Sequence, residues 1–497
     1  VLRTERLEIA GASFRKAGEL ARAIGDKKLE GSSLNNLSLV YDEQGDYDTS
    51  LKQYRQVLEL YRGADFPRGV GDTLGNIGGV HLLLGQFRDA LGYYQQALAI
   101  SERLNSRSSM SQDNGNIALC LLGLGETDDA LKHFDRAIDL AKQAGMRQDE
   151  AYWMRQKGNG LIRKGLYDQG LAAHRTAIAV YEEIGANPEL AEALHDTGRL
   201  HLLLGDPDSA ERFFAQSLDL SRNAGLSRGI TRNLIALGEL QYRRKAFHAA
   251  TKLYKQAQQR SAESGERQLE AQSLLHLAQV DREQQRLVPA FTEIGAALAI
   301  ARDIGARPLE AEALLALGDL QRRRGQLDEA LRSLESANAA ILPTRDPDLL
   351  WRIEYGRART QEARGEPRAA IESLLAAARI IESVRMRLQE PRFRAGFVDD
   401  KYDVYVDLVR LQLQLGLTHD AFSTAERLRA RSFAEQLAGR TSLPLSDGDR
   451  RREAQLIDRI RQLQRALTDE GNDEMLARSD RATSRFSHEL QRAEEEY

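Results

Sequence analysis

LNNLSLVYDEQGDYDTSLKQYRQVLELY, Leu34 to Tyr61, returns forty residues later as LGNIGGVHLLLGQFRDALGYYQQALAI and forty after that as NGNIALCLLGLGETDDALKHFDRAIDL. A fixed period of this length is the signature of a repeat architecture and decides the fold before any other signal. Gly45, Gly85, Gly125, Gly165, Gly205, Gly325 and Gly365 keep the beat, and Lys245 and Gln285 stand where glycine is missing. An alanine answers five residues on, at Ala90, Ala130, Ala210, Ala250, Ala290, Ala330 and Ala370. A second small-residue column runs through Ala97, Ala137, Ala177, Ala257, Ala297, Ala337 and Ala377.

Each unit carries two amphipathic stretches around its glycine. Leu37, Val40 and Tyr41 take helical spacing in the first, and Leu51, Tyr54, Val57, Leu58 and Tyr61 in the second. Gly45 suits a left-handed helix end and Asp46 can cap the next helix. Alanine and glycine columns let helix backbones approach where they cross. A lone helix pair cannot bury its apolar face, so the units must stack into an all-α superhelix, an α-solenoid.

Leu37, Ser38 (glycine at Gly78, Gly158, Gly198, Gly238 and Gly318), Tyr41, Gly45, Tyr54 and the alanine column resemble the tetratricopeptide repeat over roughly residues 5 to 440. The period of 40 exceeds the usual ~34. The second helix runs on to a later glycine, at Gly25, Gly145, Gly185, Gly225, Gly265 and Gly305, with no proline after it. In this it is similar to the long repeats of kinesin light chains, and the resemblance implies an interaction scaffold that binds a peptide or protein segment in its concave groove.

Composition narrows the function. A net charge of −4 and pI near 6.2 argue against a polycation for nucleic acid. The lone Cys120 on an apolar helix side excludes a disulfide framework, and no cysteine–histidine pair is arranged for nucleophilic work, so no catalytic role is expected of this chain. No apolar run approaches the ~18 residues of a membrane span and none reads as a signal peptide, so no membrane partner and a cytoplasmic setting are expected. No cofactor motif is present: GNGLIRKG (Gly158–Gly165) and GVGDTLG (Gly69–Gly75) lack dinucleotide and P-loop spacing and fall where helices are needed.

Along the chain, residues 1–30 read as the second helix of a truncated first repeat, with Ala10, Phe14 and Ala17 in the columns of Ala90, Tyr94 and Ala97. Residues 31–366 form about eight 40-residue helix pairs. In the first of these Asn36, Asn76 and Asn116 share a column, with Asn35 and Asn114 nearby. An amide both donates and accepts, so it can pair with a peptide backbone whatever the side chain; the alternative is that these asparagines bridge repeats or stay solvated. The resemblance places them on the inner surface. The column continues as Gln156 and Asp196, beside His195 and His201, without metal-ligand spacing. Arg243, Arg282, Arg322 and Arg323 gather at the ends of later first helices and predict either a basic stripe for an acidic partner segment or a phosphate backbone, which would make the chain a nucleic-acid-responsive regulator, or a solvated, neutralised edge.

After Gly365 the beat fails, and residues 367–440 read as an irregular repeat whose long helix, from Ala369, ends near Pro391. Glu426, Arg427, Leu428, Arg429, Ala430, Arg431, Ser432 and Phe433 resemble the helix that joins tetratricopeptide arrays to the caspase-like CHAT domain, which implies a covalently linked CHAT-like domain and a sensor role for the array. A linker follows at 441–449, and 450–497 is expected to form a C-terminal helical hairpin.

Overall fold

A turn recurs every twenty residues and organises the whole array. At Gly45 (φ 78°) the backbone enters the left-handed region, its N–H donates to Asp42 O at 3.0 Å, and the Asp46 N–H donates to Tyr41 O at 2.9 Å. This pair of bonds satisfies carbonyls that a helix end leaves open. Lys245 (φ 58°) and Gln285 (φ 62°) adopt the same conformation without being glycine, as do Asp65 and Asn105 at the alternate turns. Asp46 then caps the following helix by accepting from Thr49 N at 3.2 Å.

The computed structural model describes residues 2–426 apart from 343–345, 389–390 and 400. The helices are α1 (Leu2–Ala23), α2 (Lys27–Gln44), α3 (Tyr47–Gly63), α4 (Pro67–Leu83), α5 (Phe87–Arg103), α6 (Arg107–Leu124) and α7 (Thr127–Gln143). They continue as α8 (Arg147–Arg163), α9 (Tyr167–Ile184), α10 (Asn187–Leu203), α11 (Pro207–Asn223), α12 (Ser227–Arg243), α13 (Phe247–Ser264) and α14 (Arg267–Glu283). The last are α15 (Leu287–Asp303), α16 (Arg307–Arg323), α17 (Leu327–Ile341), α18 (Pro347–Ala363), α19 (Pro367–Arg385), α20 (Pro391–Asp399) and α21 (Tyr402–Gln414). Among the described residues there is no strand. The fold is an all-α solenoid in which each helix from α1 to α19 packs on the next, and α21 packs back on α19.

Within each pair the crossing is tight. Both alanine columns are buried to 2% exposure or less. Phe214 and Tyr254, fully buried, lie against Gly198 and Gly238, where an added Cβ would come within 2.7 and 2.5 Å of the ring. Burying such a ring contributes about 1.5–3 kcal/mol, more than the ~1 kcal/mol a mid-helix glycine costs. That balance explains the glycine in this column.

The last elements return onto the middle of the array. Phe393 and Phe397 of α20 are buried in one cluster with Tyr167, Leu171, Leu200 and Leu204. The Arg387 Nη1 donates to Lys164 O at 2.7 Å, and Phe397 lies 5.9 Å from the Tyr167 ring. Gly396 and Gly205 meet backbone to backbone: a Cβ on Gly396 would sit 2.6 Å from Leu204 O. The long helix α19 ends at Arg385, earlier than the expected stop near Pro391, and Pro391 instead opens α20. Proline at a first helical position loses no hydrogen bond, which favours a new start there.

K245G and Q285G remove left-handed strain and are expected to stabilise by about 0.5–1 kcal/mol each, seen as a higher urea midpoint; an unchanged or lower midpoint would show these turns unstrained. G396A drives its new methyl into the backbone of Leu204 and Gly205 and is expected to lift α20 from residues 204–205. Tryptic cleavage at Arg387 should then accelerate, and an unaltered cleavage rate would mean that the return contact holds nothing in place.

Candidate functional site

The first helix of each pair forms the inner wall of the curve. Contacts that skip an element run between first helices, α2 to α4, α6 to α8, and onward through α10, α12, α14, α16 and α18. The forty-residue period therefore aligns side chains at equivalent positions along that wall.

Asn36, Asn76 and Asn116 lie on α2, α4 and α6, each half-buried. The Asn76 amide donates to Asn35 Oδ1 at 3.0 Å, linking α4 to α2. The side-chain amides of Asn36 and Asn116 have no partner among the described residues. Asn114 is different: it is buried, donates to Met110 O at 2.8 Å and meets His133 Nδ1 at 2.9 Å, which makes it a packing residue. Beside Asn76 the wall carries no side chain at Gly75, where a Cβ would meet open space, while a Cβ on Gly79 would lie 3.5 Å from the Tyr94 hydroxyl. Leu39 (42% exposed) and Leu83 (66% exposed) flank this bare stretch.

From α8 onward the wall is charged and paired. Gln156 Oε1 accepts from Asn159 at 3.3 Å. Asp196 joins three repeats, accepting from Arg155 Nη1 and Arg232 Nη2 at 2.7 Å each, while Arg155 also holds Glu192 at 2.7 Å. Burial pushes the Asp196 carboxyl up, but Arg232 and Arg155 outweigh it and hold the group far below its usual range. Arg155, Arg232 and Glu192 were not singled out by the sequence pattern; their signal is opposite charge at separations of 36 to 41 residues, close to one period. His195 is buried, which pushes its imidazole down to about 3 with help from Arg232, and Nδ1 sits 2.9 Å from Asn233 Oδ1. His201 faces Asp206 at 3.1 Å and stacks on Phe213. No group of three metal-ligating side chains gathers among the described residues.

The arginines at the ends of later first helices are answered by carboxylates. Arg243 holds Glu239 at 3.0 Å, Arg282 holds Glu283 and Asp319 at 2.9 and 3.1 Å, and Arg322 and Arg323 hold Asp319 at 2.7 and 3.1 Å. Gly69 and Gly158 lie inside helices, against Phe66 and His174. Cys120 is buried, and burial pushes its thiol up to about 12. No helix among the described residues is long and apolar enough to cross a membrane. Arg427 to Phe433, the linker at 441–449 and the segment 450–497 lie outside the described residues.

Residues 1–63, 69–143 and 149–223 match the family described as tetratricopeptide repeat, and 313–346 match a second family of the same description. This chain is a tetratricopeptide repeat protein. Its architecture is that of a protein–protein interaction scaffold. No curated protein matches the sequence. Among solved structures, a Rap protein complexed with Competence and Sporulation Factor is similar over 75% of this chain and 99% of its own, at 12% identity and TM-score 0.51. The apo form of RapI is similar over 56% and 99%, at 14% identity and TM-score 0.47. BtubC (BKLC) from P. vanneervenii covers 44% of this tetratricopeptide repeat protein and 92% of itself, at 16% identity and TM-score 0.40.

Removing one member of the Asp196 hub leaves Arg155, 7% exposed, with half its partners. D196N is expected to cost about 3 kcal/mol at neutral pH. The carboxyl is depressed in the folded state, so its stabilisation is present above the unfolded value of ~3.9 and is lost as pH falls below it. Urea midpoints measured from pH 7 downward should show the parent losing this contribution below about pH 4 and D196N lacking it throughout. Equal midpoints for the two proteins at neutral pH would remove Asp196 as a stabilising hub.

Proposed function

We propose that this protein holds an extended protein segment on the inner wall of α2, α4, α6 and α8, with Asn36, Asn76 and Asn116 pairing to the segment's backbone. The contrast along one wall carries this reading. In the column of the ladder, Asp196 is consumed by ion pairs to Arg155 and Arg232, whereas in the first units two amides stay unpaired among the described residues. A half-buried amide that forms no bond within the fold is available to a ligand, and its donor and acceptor match one peptide unit. Gly75 leaves the helix backbone bare beside Asn76, so a second chain can approach closely there. Leu39 and Leu83 offer apolar contact at the margins. The Rap protein of similar fold was solved with Competence and Sporulation Factor, which supports a ligand within this kind of array. Glu426 to Phe433, by their resemblance to the helix before a CHAT domain, make the array the sensor arm of such a protein.

The test begins with segments recovered on the immobilised chain and mapped by protease protection. Each backbone-to-amide bond contributes roughly 0.5–1.5 kcal/mol net, so N36A/N76A/N116A is expected to weaken binding about tenfold or more. The melting midpoint should change little, because two of the three side chains have no partner among the described residues. A triple variant that binds as tightly as the parent would refute the amide ladder.

A further inference from the structure

The second helix of each pair lies on the outer side of the curve, and one line of exposed positions runs along it in every repeat. On α7 that line reads Asp128, Lys132, Asp135, Arg136 and Asp139, with both signs interspersed. On α3 it reads Asp48, Lys52, Arg55 and Glu59, and on α11 Asp208, Arg212 and Asp219. Mixed charge of this kind keeps a solvent-facing helix wetted without repelling itself.

Two successive outer helices depart from the pattern, and both pack against α14. On α13 the line holds His248, Lys252, Lys255, Gln256 and Gln259, all exposed, and no carboxylate precedes Glu263. Lys245, in the turn before α13, adds a further exposed ammonium. Lys245, Lys252 and Lys255 have no hydrogen-bond or ion-pair partner among the described residues. On α15 the line holds Val288, Thr292, Gly295, Ala296 and Ala299, and every other second helix from α3 to α19 places at least one charged side chain there. Val288 is 71% exposed, and a Cβ on Gly295 would meet nothing within 4 Å. Glu293 is the one ionisable side chain between Leu287 and Ala301; it is half-buried, and burial pushes its carboxyl up to about 7.

Neither departure serves the fold. Like charges one turn apart on a helix repel, and an uncharged outward line gives up the solvation its neighbours have. A single partner answers both. His248, Lys252 and Lys255 stand at i, i+4 and i+7, so carboxylates at the same spacing on a second helix can meet them. Alongside, Thr292, Gly295, Ala296 and Ala299 project so little that the partner's backbone can come close, as helices do over small residues. A lipid surface draws in large apolar side chains, and Val288 is the only one on either line. A phosphate backbone would engage the lysines and leave α15 uncovered.

We propose that α13 and α15 form an outer docking face for an acidic amphipathic helix of a partner protein, its carboxylates on Lys252 and Lys255 and its small or apolar side on Gly295, Ala296 and Ala299. This face shares no residue with the asparagine ladder.

The full chain is titrated with four probes: a helical peptide with glutamates at i, i+4 and i+7 and alanines beside them, the same peptide with lysines for glutamates, vesicles of anionic phospholipid, and a single-stranded oligonucleotide. The acidic helix should bind in preference to the other three. K252E/K255E turns two attractions into repulsions and should weaken binding by about tenfold or more. A299W changes no charge and should weaken it comparably by holding the partner off α15. K252R/K255R keeps the charge and should bind like the parent. All three sites are exposed, so urea midpoints should stay at the parental value, which separates recognition from misfolding. Tighter binding of the vesicles or the oligonucleotide than of the acidic helix overturns the proposal. So does equal binding of the acidic and basic helices, or parental binding by either K252E/K255E or A299W. N36A/N76A/N116A should leave the acidic helix bound as before; loss of that binding would refute a separate outer face. A failed amide ladder, with the acidic helix still sensitive to K252E/K255E and A299W, would leave this face standing.

Discussion

The close crossing of the two helices in each pair is the constraint from which the rest of the structure follows. A ring such as Tyr254 rests on Gly238 at a distance that no side chain could share. That contact fixes how near the helices come and at what angle, and ridge-into-groove packing repeats the geometry at every step. The first helices therefore stay on the inside for the length of the array, and a column of sequence becomes a line on a wall. The polar positions along that line carry the functional consequences; the apolar ones only hold it in shape.

The period and its columns were legible in the sequence because every unit meets the same packing problem. Lys245 and Gln285 were placed at turn positions by register alone, and both adopt the left-handed conformation that glycine takes elsewhere. The wall's ionic order was less legible. Asp196 stood out as a polar residue of the inner column, but its partners Arg155 and Arg232 sit at other register positions on neighbouring helices. Pairing them requires knowing which side chains of adjacent first helices converge, and that depends on the angle between repeats. The return of α20 onto residues 164–205 was not legible at all. It arises from small rotations accumulated over several repeats, and no local pattern encodes their sum.

The wall divides into two regimes for an energetic reason. Where Arg155, Asp196 and Arg232 meet, three repeats are fastened by charge-assisted bonds, and loosening any one would strand a buried ion. In such a region the polar groups are committed to one another. In the first units, Asn36 and Asn116 have no partner among the described residues, so their bonding capacity is retained without a buried charge to stabilise. Neutral amides tolerate solvent in the absence of ligand at small cost, whereas an unpaired buried ion would not.

The return contact alters how the array responds as a mechanical object. In an open solenoid each unit touches only its neighbours, and stability is a sum of local terms. Here Arg387 and Lys164 are joined across 223 residues, and Phe393 and Phe397 share a core with Leu200 and Leu204. The helices from α10 to α18 thus lie within a closed loop of contacts. Changing the curvature of any one of them must either be offset by another or separate residues 384–397 from 164–205. A ligand that fits the inner wall without changing its curvature leaves that contact alone. One that requires a wider wall must spend binding energy on breaking it, and only a difference in affinity between the two arrangements can shift the balance. The contact therefore couples the far end of the array to its middle directly, without passing through every repeat between them.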